Sequence, residues 1–215
     1  LGDVYKRQVV DSGQFDWMAH AEKFPGLCTP DASYHGLTYT KAFGKMGYLT
    51  KLVAQLMRDL GSIPSPHNSY LLNLGLESLH LRMAQHCRNA QQIAEFLEQQ
   101  EQVAWIHYCG LKNDAHYSLG QKYLPNGSCG VIAFGLKGDR DTAIRFMDSL
   151  RLINIATHVA DSRTCVLHPA SHTHRQLTDE QLRASGIDPT LIRLSVGIED
   201  VTDLLADIQQ ALAKC

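Results

Sequence analysis

Apolar residues recur along this chain with two periods, and the switch between them lays out the elements. Over residues 45–60, Leu49, Leu52, Val53, Leu56, Met57 and Leu60 fall three and four apart. That spacing predicts an amphipathic helix, stopped by Gly61. The Ser62-Ile63-Pro64-Ser65-Pro66 stretch breaks the pattern, and Pro66 suits the first turn of a new helix. Tyr70, Leu71, Leu74 and Leu76 then predict a mostly buried helix over 68–77. Leu79, Met83, Cys87, Ala90, Ile93, Ala94 and Leu97 carry the spacing on to residue 99, so the two read as one long helix bent between Gly75 and Ser78.

Beyond residue 100 short runs alternate with helical spacing. Strands are predicted at 103–108, 130–136, 153–156, 164–167 and 191–198. Helices are predicted at 139–150, with Asp139 or Asp141 near the cap, at 178–185, begun by Thr178-Asp179-Glu180, and at 200–213. Residues 109–127 read as a loop. Near the start, Val9-Val10-Asp11-Ser12-Gly13 reads as a strand end and turn, and 24–36 as a loop. The pattern is that of an α/β chain without internal repeats.

Composition excludes more than it identifies. Hydrophobic residues at 44% and charged residues at 20% supply a core of ordinary size. A net charge of -2 with no Lys/Arg cluster argues against a nucleic-acid partner. No apolar run reaches membrane-spanning length and no signal peptide precedes Val9. The six cysteines are scattered with no CxxC, which suits a reducing, cytoplasmic setting better than a disulfide framework.

The chemistry concentrates at Leu191-Ile192-Arg193-Leu194-Ser195-Val196-Gly197-Ile198-Glu199, a strand with apolar residues on one face and Arg193, Ser195 and Gly197 on the other. A guanidinium within such a strand must either reach solvent or hold an anion. An anion there would be either an internal carboxylate or the carboxylate of a ligand, clamped by the planar fork.

The 193–199 motif resembles the C-terminal signature of the pyridoxal-phosphate (PLP) enzymes of cysteine and methionine metabolism. Upstream, His168-Pro169-Ala170-Ser171-His172-Thr173-His174-Arg175-Gln176-Leu177 is similar to the segment that precedes that signature in the O-acetylhomoserine sulfhydrylase branch. Similarity extends back through Tyr123-Leu124-Pro125, residues 79–83 and Asp31 to Gly36, as far as Val9. Residues 1–8 do not match and read as foreign sequence.

The resemblance implies an aspartate-aminotransferase-like fold (fold type I), with 9–62 as the tail of the large PLP domain. Residues 63–215 would be the connecting helix and a small domain with a mainly antiparallel sheet. It implies replacement of the acetyl group of O-acetyl-L-homoserine by sulfide or a thiol, giving homocysteine, and a homotetramer at full length. Other members acting at the gamma carbon (cystathionine gamma-synthase, methionine gamma-lyase) and an inactive orphan domain are the alternatives. Arg193 would clamp the substrate alpha-carboxylate. His158 and Val159 stand where the family reads Asn-Val-Gly-Asp and here reads His158-Val159-Ala160-Asp161, and Thr173 would lie nearby.

The Schiff-base lysine is expected upstream of this chain. Thr38-Tyr39-Thr40-Lys41 only superficially resembles its setting and reads as surface. For Tyr34 and His35 a structural role is the better reading. His168, His172 and His174 have a spacing that suggests a metal, but His-Pro beside a strand end more often fixes a loop.

Overall fold

The computed structural model describes residues 9–61 and 63–215; the foreign-sequence expectation for 1–8 lies outside them. The chain divides into two compact units between Gly75 and Leu76.

The first unit is built of short helices. They are α1 (Pro25–Cys28), α2 (Tyr39–Phe43) and α3 (Gly47–Lys51), which runs through a π-helical segment (Leu52–Met57) into α4 (Arg58–Leu60). Gly61 ends that run at φ 66°, a conformation open to glycine, as the spacing predicts. Its small core gathers Leu27, Cys28 and the fully buried Tyr39. Residues 9–13 form no strand; Val10 is exposed, and the Gly13 amide closes a turn on the Asp11 carboxylate at 3.0 Å. The expected strand end is therefore corrected. A two-valine run supplies propensity, but a strand exists only with a ladder partner.

The long helix breaks at Ser78 into α5 (Pro66–Glu77) and α6 (Leu79–Glu98). The expectation of a mostly buried α5 is overturned: Tyr70, Leu71, Leu74 and Leu76 are all exposed. Helical spacing specifies the helix but supplies no surface to cover its apolar side chains, of which Leu72 is half-buried. The second half of α6 behaves as its spacing says, burying Ala90, Ile93, Ala94 and Leu97.

Five strands form one sheet: β1 (Val103–His107), β2 (Val131–Leu136), β3 (Asn154–Ile155), β4 (Cys165–Leu167) and β5 (Leu191–Ser195). Their order is β1-β2-β5-β4-β3, antiparallel except for the β3–β4 pair. A further helix, α7 (Tyr117–Tyr123), lies in the stretch expected to be loop. Helices α8 (Arg140–Ser149), α9 (Asp179–Ala184) and α10 (Val201–Leu212) complete the unit. Asp139 caps α8 and Thr178 caps α9, each through a reciprocal capping box. Ile192, Leu194 and Val196 of the signature join Ile132, Phe134, Phe146, Leu204 and Ile208 in one core. This core fixes β5 in the middle of the sheet and so sets where Arg193 sits.

Candidate functional site

Arg193 lies opposite Ala133 of β2 on one side and Leu167 of β4 on the other. The sheet thus holds its backbone from both edges, while its side chain is aimed at the loop that follows β3. There Nη2 donates to the Thr157 carbonyl at 3.0 Å, with the His158 carbonyl at 3.5 Å. Nε is buried and makes no hydrogen bond. No carboxylate among the described residues pairs with this guanidinium. Two carbonyls hold the fork in place without neutralising it, so a positive charge remains for an external anion.

The loop itself is held by the rest of the signature. Ser195 Oγ accepts the Ala160 N–H at 3.0 Å. Glu199 receives the Thr164 N–H at 2.6 Å and its hydroxyl at 2.9 Å, and Thr164 Oγ1 accepts the Gly197 N–H at 2.8 Å. A Cβ at Gly197 would stand 2.4 Å from the Ser162 carbonyl oxygen and 2.6 Å from the Arg163 carbonyl carbon, so only glycine permits this approach. From α6, His86 Nδ1 donates to the Val196 carbonyl at 2.6 Å, and Asn89 Nδ2 donates to the carbonyls of Gly197 and Glu199. These groups were missed by sequence reasoning. The signature motif contains half of them, but their partners lie 33–110 residues away along the chain.

Ala160 adopts φ 60°, the left-handed region where the family's glycine would be unstrained. Its neighbour Val159 is exposed, and the Val159 amide makes no hydrogen bond within the described residues. The His158 ring is exposed, with Nδ1 3.4 Å from Asp161 Oδ2. Hydrogen bonds from the Arg163 backbone and side chain, aided by His158, hold the Asp161 carboxyl down to about 2. Arg193, His158 and Val159 therefore belong to one locality.

Thr173 does not join them by any hydrogen bond: its hydroxyl pairs with His174 Nδ1 at 2.9 Å. His168 is buried, donating from Nε2 to the Pro189 carbonyl at 2.7 Å and accepting at Nδ1 from Ser171 at 2.9 Å. Burial pushes it down, which keeps the ring neutral, and both nitrogens are committed to shaping the turn. His172 donates to the His168 carbonyl at 3.0 Å. In the first unit the Tyr34 hydroxyl donates to the Ala54 carbonyl and accepts from Arg58, both at 3.0 Å, and His35 turns the chain at φ 56°. Lys41 is exposed on α2, beside the buried Tyr39 and Thr40.

Known proteins match this arrangement along the chain. A profile of the Cys/Met metabolism PLP-dependent enzymes covers residues 32–213. Homocysteine synthase of Schizosaccharomyces pombe is 41% identical over 204 residues, 95% of this chain and 48% of that protein. O-acetyl-L-homoserine sulfhydrylase 1 of Thermus thermophilus is 40% identical over 212 residues, 99% of this chain and 50% of that protein. Among solved structures, an O-acetylhomoserine (thiol)-lyase assignment from Campylobacter jejuni, crystallised with N′-pyridoxyl-lysine-5′-monophosphate, superposes with a TM-score of 0.77. It is 36% identical, and the match covers 89% of this chain and 45% of that one. The chain spans about half the length of the curated relatives it matches. The structural match bears out the α/β, fold type I expectation. With the profile covering most of its length, the chain belongs to the family of Cys/Met metabolism PLP-dependent enzymes.

Proposed function

We propose that this chain is the substrate-carboxylate side of an O-acetylhomoserine sulfhydrylase, the enzyme that exchanges acetate for sulfide or a thiol on O-acetyl-L-homoserine. The observation that carries the reading is Arg193, a guanidinium fixed in mid-sheet with no carboxylate of its own. The names of the relatives support the same substrate class. In this reading residues 9–62 are the tail of the large PLP domain, and 63–215 are the connecting helix and small domain of a homotetramer. Arg193 takes the alpha-carboxylate in its fork, the Val159 amide adds a neutral donor, and together they fix the amino acid's orientation. His158 stands at the rim, and Thr173 shapes the neighbouring turn.

The lysines here do not fit the role of Schiff-base partner. Lys41 points to solvent, and Lys51 is held by the Asp31 carboxylate at 2.6 Å. On its own this chain should show no sulfhydrylase turnover when given PLP, O-acetylhomoserine and sulfide; turnover at an enzyme-like rate would return Lys41 to the centre.

The decisive test uses the enzyme carrying this chain at full length. Arg193→Lys keeps the charge and removes the fork, losing one charge-assisted hydrogen bond worth roughly 1.5–3 kcal/mol. Catalytic efficiency should fall about 10–100-fold, with folding and the visible cofactor absorbance intact. An analogue lacking the alpha-carboxylate should be indifferent to the change. An equal loss for both substrates would refute the clamp.

A further inference from the structure

Three of the six cysteines, remote in sequence, converge outside the Arg193 site. Cys87 lies on α6, Cys109 just beyond β1 and Cys129 just before β2, and all are half-buried free thiols. The β1–β2 ladder reaches His107 across from Ala133, and beyond it the two segments stay close: a Cβ at Gly110 would stand 3.0 Å from Ser128 Oγ. The Cys109 thiol is a hydrogen-bonding neighbour of Cys129, and Cys87 lies within electrostatic reach of both. The packing leaves the cluster little slack. Tyr108 donates its hydroxyl to the Cys129 carbonyl at 3.0 Å. A Cβ at Gly127 would stand 2.9 Å from Cys87 Sγ, and one at Gly120 would stand 3.5 Å from Cys109 Sγ.

We propose that Cys109 and Cys129 form a dithiol modification site that exchanges with low-molecular-weight disulfides of the glutathione class and ends as an intramolecular disulfide. Cys109 gives up its proton to solvent, and its thiolate attacks one sulfur of the small disulfide. That S–S bond breaks, and the first small thiol departs with a proton. Cys129, deprotonated in turn, attacks Cys109 Sγ in the mixed disulfide and releases the second small thiol. Two protein thiols are oxidised and one small disulfide is reduced. Burial pushes the thiol of Cys129 up, so the closing attack speeds up as pH rises.

The test incubates the whole chain with oxidised glutathione, alkylates the remaining thiols and digests with trypsin. Cleavage at Arg82, Arg88, Lys112, Lys122 and Lys137 places the three thiols in separate peptides. The expected product is peptide 89–112 joined to 123–137, formed in the folded chain and scattered among other pairings in urea. In Cys129→Ser, the glutathione adduct should persist on peptide 89–112, at least tenfold above its level in the unaltered chain. Cross-linking chiefly through Cys87 would overturn the proposal. So would separate glutathione adducts on Cys109 and Cys129, or modification confined to the exposed Cys215.

Discussion

Replacing Asp207 with Asn tests whether the loop beside Arg193 is positioned from behind. Asp207 on α10 is 6% exposed and gathers three consecutive backbone amides. Oδ1 accepts from Arg151 at 2.9 Å, and Oδ2 from Leu152 at 2.8 Å and Ile153 at 2.9 Å; Gln210 Nε2 adds a bond to Oδ1 at 3.0 Å. These amides lead straight into β3 and on to Thr157. Burial pushes the carboxyl up, but the three amides and Gln210 outweigh it, so the net shift is downward.

In the Asp207→Asn variant the new side-chain oxygen can replace Oδ2 and keep two donors. The NH₂ then faces the Arg151 N–H and Gln210, donor against donor. Gln210 has a buried oxygen without a partner, so it can turn over and accept, at the expense of its bond to the Ser149 carbonyl. The Arg151 amide is left orphaned in any case. Losing the charge-assisted bond to Arg151 costs about 1.5–3 kcal/mol and the part-buried amide left without a partner adds up to about 1 kcal/mol, so the net loss should be roughly 2–4 kcal/mol.

Urea unfolding followed by Trp105 fluorescence, in a Trp17→Phe background that silences the other unit, reads this from within the same unit. A shift of the midpoint by about 1–2 M is expected for an m-value of roughly 2 kcal/mol/M. The pH dependence has a fixed sign. A carboxyl with its folded pKa below its unfolded value contributes stability above the unfolded pKa, near 4, and loses it as pH falls through the folded value. The wild-type chain should therefore weaken below about pH 4 more steeply than Asp207→Asn. A loss under about 0.5 kcal/mol with parallel acid profiles would refute the reasoning.

Two other substitutions bear on the same loop. Ala160→Gly should relieve the left-handed strain at φ 60°, about 1–2 kcal/mol in the folded state, offset in part by the extra freedom of unfolded glycine. A net gain of roughly 0.5–1 kcal/mol in urea unfolding is expected, and a loss would show that the Ala160 methyl packs. Gly197→Ala drives a Cβ into the backbone of Ser162 and Arg163. It should cost roughly 2–4 kcal/mol and, in the full-length enzyme, weaken the amino-acid substrate's KM as the loop moves off Arg193.

Much of the second unit was legible because its signals are local or periodic. Thr178-Asp179-Glu180 announces the start of α9, and the alternation around Ile192 and Leu194 marks β5 whatever its neighbours are. Arg193 stood out because a charge in an apolar strand is costly. What stayed hidden depends on partners. Glu199 reads as a polar residue ending a strand until Thr164 is beside it. The apolar side chains of α5 have helical spacing, which predicts a helix correctly, but spacing carries no knowledge of whether a surface waits to cover them. The loop around α7 lacks an apolar stripe, and Gly120, tight against the Cys109 carbonyl, hid a helix behind a turn signal.

The hydrogen bond from Arg193 to the Thr157 carbonyl has a thermodynamic consequence. A free arginine loses rotamer freedom when it grips a ligand, a cost of about 0.5–1.5 kcal/mol per immobilised side chain. Here that ordering has already happened during folding, so a carboxylate arriving at the fork meets a guanidinium that has little left to lose. Binding to this chain should accordingly look enthalpic by calorimetry. Cutting the tether by loosening the 157–161 loop should leave the enthalpy largely in place and return the penalty as unfavourable entropy. If Arg193 is the clamp proposed above, affinity at this site is stored partly in a bond the ligand never touches.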